Sequence, residues 1–222
     1  MSRIVRSVAA FTLVELMVSM VLSFFALASV YSVYHVQSRT LAVQQNRQEA
    51  QEYARSVVDM MPREIRNAGA NPLGISSGIN CAGTPLPGTP GVVTATSTSF
   101  KFTYDHRDNS SGSAPDGNCD DPDEEITYQY QTPGPQNCAA GTGDIVRIAN
   151  GATEPITDCN VTAFSLAYYA KDSTTPMSPV VLANIQRVKL TVTIQSKNSD
   201  PEFGGQLTAT VYSNINLRNG QL

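Results

Sequence analysis

Residues 11–34 read FTLVELMVSMVLSFFALASVYSVY, a run of 24 residues whose single charged side chain is Glu15. A helix needs about 20 apolar residues to cross a bilayer, so the run is long enough to span. An ionised carboxylate in such a helix costs about 2.5–3.5 kcal/mol on insertion scales, and it persists where a partner offsets that cost. Ahead of the run stands MSRIVRSVAA, which carries Arg3 and Arg6 and no acid. A basic flank stays on the cytoplasmic side, so the bulk of the chain is expected to be exported. The leader is too short for an ordinary secretory signal, whose apolar stretch precedes its cut rather than following it.

The motif Ala10-Phe11-Thr12-Leu13-Val14-Glu15-Leu16 resembles the type III signal of type IV pilins and their relatives. The resemblance implies that a prepilin peptidase cuts between Ala10 and Phe11 and N-methylates Phe11. The family usually has Gly before the cut, and here the residue is Ala10, which is also small. Cleavage creates an α-amine on Phe11, a cation close to Glu15. In lipid the two lessen each other's burial cost. In a helical stack, Glu15 of one chain can pair with the Phe11 amine of its neighbour. A buried pair adds little net stability but is costly to break, so it suits setting register. The competing reading is an uncleaved signal anchor with an incidental acid.

Ser19, Ser23, Ala26 and Ser29 recur three or four apart and form a small-residue stripe that allows close helix approach or is simply tolerated. No Gly or Pro interrupts residues 11–61. Major pilins commonly carry helix-loosening residues in this stretch, so the resemblance leans toward a minor subunit. Beyond the span, Ala50, Ala54, Val57, Met61, Ile65 and Ala68 keep a three–four apolar spacing and predict an amphipathic continuation over 35–70. Gly69 and Pro72 signal its end. Pro62 is expected to kink or interrupt the helix near residues 59–61. Arg63-Glu64-Ile65-Arg66-Asn67-Ala68-Gly69 is similar to the segment that follows the membrane helix in the PilW group of minor pilins. That similarity favours PilW over the J-type minor pseudopilins of type II secretion.

Residues 71–98 are rich in Gly, Pro, Ser and Thr and read as an extended connector. Strand-like runs follow at 99–104, 126–131, 144–148, 161–169, 185–195 and 206–216, with turn residues such as Asn198-Ser199-Asp200-Pro201 between them. Six strands without an intervening helix predict an antiparallel sheet, and the amphipathic helix is what covers its face. The expected fold is α+β: a long N-terminal α-helix, membrane-spanning then amphipathic, packed on an antiparallel β-sheet as a pilin-like ladle. The organisation is a leader (1–10), a transmembrane and filament-core helix (11–34), its amphipathic continuation (35–70), a connector (71–98) and an exported β-rich head (99–222).

Cys81, Cys119, Cys138 and Cys159 all lie in the exported part. Four cysteines in an oxidising compartment predict two disulfides with three connectivities. A meander would place Cys119 and Cys159 at one end of the sheet and Cys81 and Cys138 at the other. That favours 119–159 with 81–138, and 119–138 competes closely. A zinc site is disfavoured, because there is no CxxC pair and the two histidines are far away in sequence.

Residues 105–125 read DHRDNSSGSAPDGNCDDPDEE. Asp116, Asn118 and Asp120 have the D-x-N-x-D spacing that opens a calcium loop, and more acids crowd behind them. No Gly follows Asp120 and no Glu stands at the twelfth position. A solvated acidic loop is the simpler reading, with structural Ca²⁺ as the one cofactor considered. His35 and His106 read as surface or interface groups, and Tyr128, Tyr130, Tyr168 and Tyr169 as sheet packing. No G-x-S-x-G, Ser-x-x-Lys or phosphate loop is found, so the chain does not read as an enzyme.

Removing the leader takes the formal charge from −4 to −6, which does not fit a nucleic-acid binder. The resemblance implies a minor type IV pilin that helps initiate pilus assembly and sits at or near the tip. Its implied partners are other minor pilins, the major pilin, a tip adhesin, the prepilin peptidase and the inner-membrane assembly platform. It would reside in the inner membrane, head in the periplasm, and then in the pilus at the cell surface. Two alternatives share the same residues: a minor pseudopilin of type II secretion, and a signal-anchored exported binding module.

Overall fold

The computed structural model describes residues 12–70, 91–105, 123–200 and 205–218. The chain forms two compact units, Met1–Gln45 and Asn46–Leu222. One helix, α1 (Leu13–Ile65), contributes to both.

In the first unit α1 is apolar and bare. Leu13, Phe24 and Phe25 are each more than two-thirds exposed, and the segment is long and apolar enough to cross a membrane. In the second unit α1 turns one stripe inward. Ala50, Ala54, Val57, Met61 and Ile65 are buried at the three–four spacing, and Ala68 follows in the turn beyond. Met61 and Ile65 are fully buried, worth about 1.5–3 kcal/mol each relative to exposure.

Pro62 does not interrupt the helix. It lies in the last turn, where its missing N–H removes a single bond, and its carbonyl still accepts from Arg66 N at 3.1 Å. The helix tightens after Ile65 through Asn67 N to Glu64 O (2.9 Å) and Ala68 N to Ile65 O (3.1 Å). Gly69 (φ +74°) then turns the chain out and donates to Thr103 O at 2.8 Å.

Among the described residues eight antiparallel strands follow rather than six. They are β1 (Val92–Ala95), β2 (Ser99–Thr103), β3 (Glu125–Gln131), β4 (Asp144–Ala149), β5 (Ala152–Pro155), β6 (Val161–Tyr169), β7 (Arg187–Asp200) and β8 (Gly205–Asn216). They form two sheets, ordered β1-β2-β3-β4-β5 and β6-β7-β8, not one. β1 occupies the end of the expected connector. β7 continues through residues 198–200, where a turn was expected. The sheets meet where Leu166 N donates to Ser97 O (2.8 Å) and Tyr168 Oη donates to Thr96 O (2.6 Å).

Strand alternation builds the core. Phe100 and Phe102 face inward and pair in register with Tyr128 and Ile126. Val188, Leu190, Val192 and Ile194 supply the second sheet's inner face. Phe100 stacks on Tyr168 at 5.7 Å between ring centroids and Tyr130 on Phe164 at 6.1 Å, and both pairs join the two sheets. The outcome is one long helix packed on antiparallel sheet in an α+β arrangement consistent with a pilin-like fold.

Candidate functional site

The first turn of α1 is held by a reciprocal pair. Thr12 N and Thr12 Oγ1 donate to Glu15 Oε2 at 3.1 and 3.0 Å, and Glu15 N donates to Thr12 Oγ1 at 3.3 Å. This is a capping box, in which a threonine before the first turn and a glutamate three residues on satisfy orphan backbone donors. Both Thr12 bonds fall on Oε2, and among the described residues no hydrogen bond to Oε1 is seen. The T-x-x-E signal lay in the sequence, but Glu15 drew attention as a charge in an apolar run. Ala10 and Phe11 lie outside the described residues, so the geometry of the cleavage site and of the Phe11 amine does too.

The serines of the small-residue stripe turn inward on their own helix. Ser19 Oγ donates to Leu16 O (2.9 Å), Ser23 Oγ to Ser19 O (2.7 Å) and Ser29 Oγ to Phe25 O (2.9 Å). Each hydroxyl is satisfied without water, which suits the face to lipid or to a packed neighbour. His35 lies along the same helix with its ring 6.1 Å from Tyr31. His106 lies outside the described residues.

A second cluster pins the last turn of α1 to the first sheet. Glu64 Oε2 accepts from Tyr128 Oη at 2.6 Å and from Arg147 Nε at 3.1 Å. Arg147 also reaches Asp123 at 3.6 Å. Burial, followed by the hydrogen bond to the Glu64 carboxylate, pushes the Tyr128 phenol far above its ordinary value. Tyr104 beside it is pushed up to about 12, first by burial and then by the Glu64 charge. A buried phenol locked to a carboxylate is a structural fastening here.

The cysteines pair differently from the expectation. Cys138 is bonded to Cys159, with Cα atoms 5.1 Å apart, which excludes 119–159, 81–138 and 119–138. The cause is β5. It folds back along β4 in a tight hairpin and returns the chain to the end of the sheet where β4 begins, so Cys159 arrives beside Cys138. Cys81 and Cys119 lie outside the described residues, as do Asp116, Asn118 and Asp120 of the calcium-like spacing.

Asp144 stands behind the disulfide, fully buried. It accepts from Cys159 N at 2.7 Å and from Thr157 Oγ1 at 3.4 Å, and its Oδ2 lies 3.2 Å from Cys138 Sγ. The Cβ of any side chain at Gly134 (φ +75°) would come within 2.8 Å of that oxygen. Cys138, Asp144 and Cys159 thus have the mutual spacing of a metal-ligand set, which sequence distance concealed. Joined to each other, the two sulfurs are not thiolates, and Asp144 serves to order the loop that carries Cys159.

Residues 5–31 match the Prokaryotic N-terminal methylation motif. The chain therefore carries the signal of a type IV pilin- or pseudopilin-type prepilin, and this signal with its apolar helix supports membrane anchoring. No curated protein and no solved structure matches the chain.

Proposed function

We propose that this chain is a minor type IV pilin of the PilW kind, which helps to initiate pilus assembly and resides at or near the tip. The observation that carries the reading is the methylation motif over residues 5–31, which takes in the start of a bare apolar helix with Glu15 in its first turn. Prepilin peptidase cuts between Ala10 and Phe11 in the inner membrane. The helix then leaves the bilayer for the filament core, where Glu15 keeps its cap through Oε2 and offers Oε1 to the Phe11 amine of a neighbouring subunit. The neighbours are other minor pilins and the major pilin, with an adhesin as a further tip partner, and the exported head presents the partner-specific surface. The protein acts by assembly rather than turnover, and it needs no cofactor for this role.

The same helix would serve a type II secretion pseudopilus. The segment from Arg63 to Gly69 favours the pilus. The test is a deletion strain complemented with the wild type or with Glu15→Val, scored for surface pili and for secretion, together with mass spectrometry of the mature N-terminus. Methylated Phe11 and loss of pili in the Glu15→Val strain support the proposal. A native chain that still begins at Met1, or full piliation without the acid, overturns it, and loss of secretion with normal pili moves the protein to the other machine.

A further inference from the structure

Sheet edges display unpaired N–H and C=O groups, and proteins normally guard them. Among the described residues of the C-terminal unit, three of the four outer sheet edges are guarded. β1 is four residues long and broken by a register shift between Val92 and Thr94. β5 is equally short and carries Glu154 and Pro155. β6 is occupied along its outer side, where Leu166 N donates to Ser97 O, Met177 N donates to Tyr168 O, and Gly143 and Val161 bridge.

β8 is the exception. It runs twelve residues, GQLTATVYSNIN, with no charge and no proline. At about 3.3 Å per residue, that is about 40 Å of edge. Among the described residues its backbone pairs with β7 on one side and with no strand on the other. Its inner positions Ala209 and Ile215 are buried, which fixes the strand's register and face. Its outward positions Gln206, Thr208, Thr210, Tyr212, Asn214 and Asn216 are all neutral and exposed, with Tyr212 at 65%.

We propose that the outer edge of β8 pairs antiparallel with β8 of a second copy of this chain, joining two three-stranded sheets into one of six strands. A two-fold interface brings the same strand to itself, so a strand bearing like charges would repel its own copy. This strand has none. The threonines that would meet across the two-fold already bond in this way within the sheet, where Thr193 Oγ1 and Thr210 Oγ1 lie 2.9 Å apart. Backbone ladder bonds supply the attachment, as in strand addition to open sheet edges generally. The contact belongs to the C-terminal unit alone, so its failure leaves the reading of the prepilin signal untouched.

The test is hydrogen exchange and sedimentation of the full-length chain in detergent across a wide concentration range, with the chain itself as the probe. Alternate amides of β8 gain protection as concentration rises, while those of β2, β3 and β4 stay as they were. Thr208→Lys combined with Thr210→Lys weakens self-association by about tenfold or more, since it sets like charges against each other. The Cys138–Cys159 bond reports that this variant has folded, and Gln206→Lys at the strand end replaces it if it has not. Four results overturn the pairing: β8 exchange that ignores concentration, association that survives the lysines, β8 protection already complete in the dilute monomer, or protection that appears only when other filament subunits are added.

Discussion

Thr12 Oγ1 lies 3.0 Å from Glu15 Oε2 across the first turn of α1, so the one acid of the apolar run is engaged by its own chain before any neighbour reaches it. Under the proposed function the carboxylate meets an amine on another subunit, and it gains from being held still beforehand. The capping box supplies that hold. It occupies Oε2 and fixes the side chain at the helix entrance.

Thr12→Val should therefore separate positioning from charge. It removes the hydroxyl but keeps Glu15. Loss of an N-cap costs about 1 kcal/mol, or about a fivefold rise in local opening at the start of the helix. Hydrogen exchange of the first-turn amides should show that rise, and pilus counts should fall less than in Glu15→Val. Equal losses in the two variants would mean that the cap, not the charge, sets assembly.

Cys138 and Cys159 close a loop with a sequence separation of 21 residues. Chain-entropy reasoning assigns such a bridge about 3 kcal/mol. Cys138→Ser should lower the melting temperature of the C-terminal unit accordingly, and peptide mapping without reductant should return Cys138 linked to Cys159. A Cys138 peptide found linked to Cys119 or Cys81 would contradict the structure.

Asp144 offers a sharper probe of the same corner. Asp144→Ala removes the acceptor for Cys159 N in a buried setting, and a buried donor left unmet costs about 1–3 kcal/mol. Asp144→Asn keeps a carbonyl oxygen there and should recover most of that loss. Thermal unfolding of the two variants with the disulfide intact makes the comparison.

Much of the fold was legible in the sequence, because its strongest signals are periodic. The six apolar positions from Ala50 to Ala68 are all buried, and Val161–Tyr169 is the strand read from its pattern. What escaped was short or bare. β5 reads ATEP, four exposed residues with no alternation, and β1 lies at the end of a Gly- and Pro-rich stretch. Missing β5 had a consequence beyond itself: without its hairpin, Cys159 falls at the wrong end of the sheet, and the disulfide is misassigned. The Glu64–Tyr128–Arg147 cluster was illegible for another reason. Its members are 64 and 83 residues apart in sequence, and only the packing of α1 on the first sheet brings them together.

Burial raises the phenols of Tyr104, Tyr128, Tyr130 and Tyr168, and together they set the alkaline limit of the C-terminal unit. A tyrosine ionises near its ordinary value of 10 in the unfolded chain but later in the folded one, where Tyr104 waits until about 12 and Tyr128 holds on longer. Above pH 10 the unfolded state loses protons that the folded state keeps, so folded stability declines as pH rises from there. Each phenol contributes at most about 1.4 kcal/mol per pH unit within that window. Below pH 10 the contribution is fully present and flat. Tyr104→Phe should shallow the decline in urea midpoints measured between pH 9 and pH 12, and an unchanged slope would show that the phenol titrates freely.

Gly91 meets Gly69 backbone to backbone beside the turn that ends α1. A Cβ on Gly91 would sit 2.1 Å from Gly69 N and 2.4 Å from Thr103 O, and Gly91 has φ +62°. Neither neighbour is a flexible side-chain tip. Thr103 N donates to Gly91 O at 2.6 Å, and Gly69 N donates to Thr103 O at 2.8 Å, so the clash falls on the bonds that join the turn after α1 to β2. Gly91→Ala must therefore break that junction or push the turn away from the sheet. The left-handed backbone conformation alone costs about 1–2 kcal/mol for a residue with a side chain, and the steric clash adds to it. Gly151→Ala makes the control, since Gly151 also has positive φ (+72°) but a Cβ there meets nothing within 4 Å. The expected result is a modest drop in melting temperature for Gly151→Ala and a much larger one, or loss of folded protein, for Gly91→Ala. Similar melting temperatures for the two would refute the close approach.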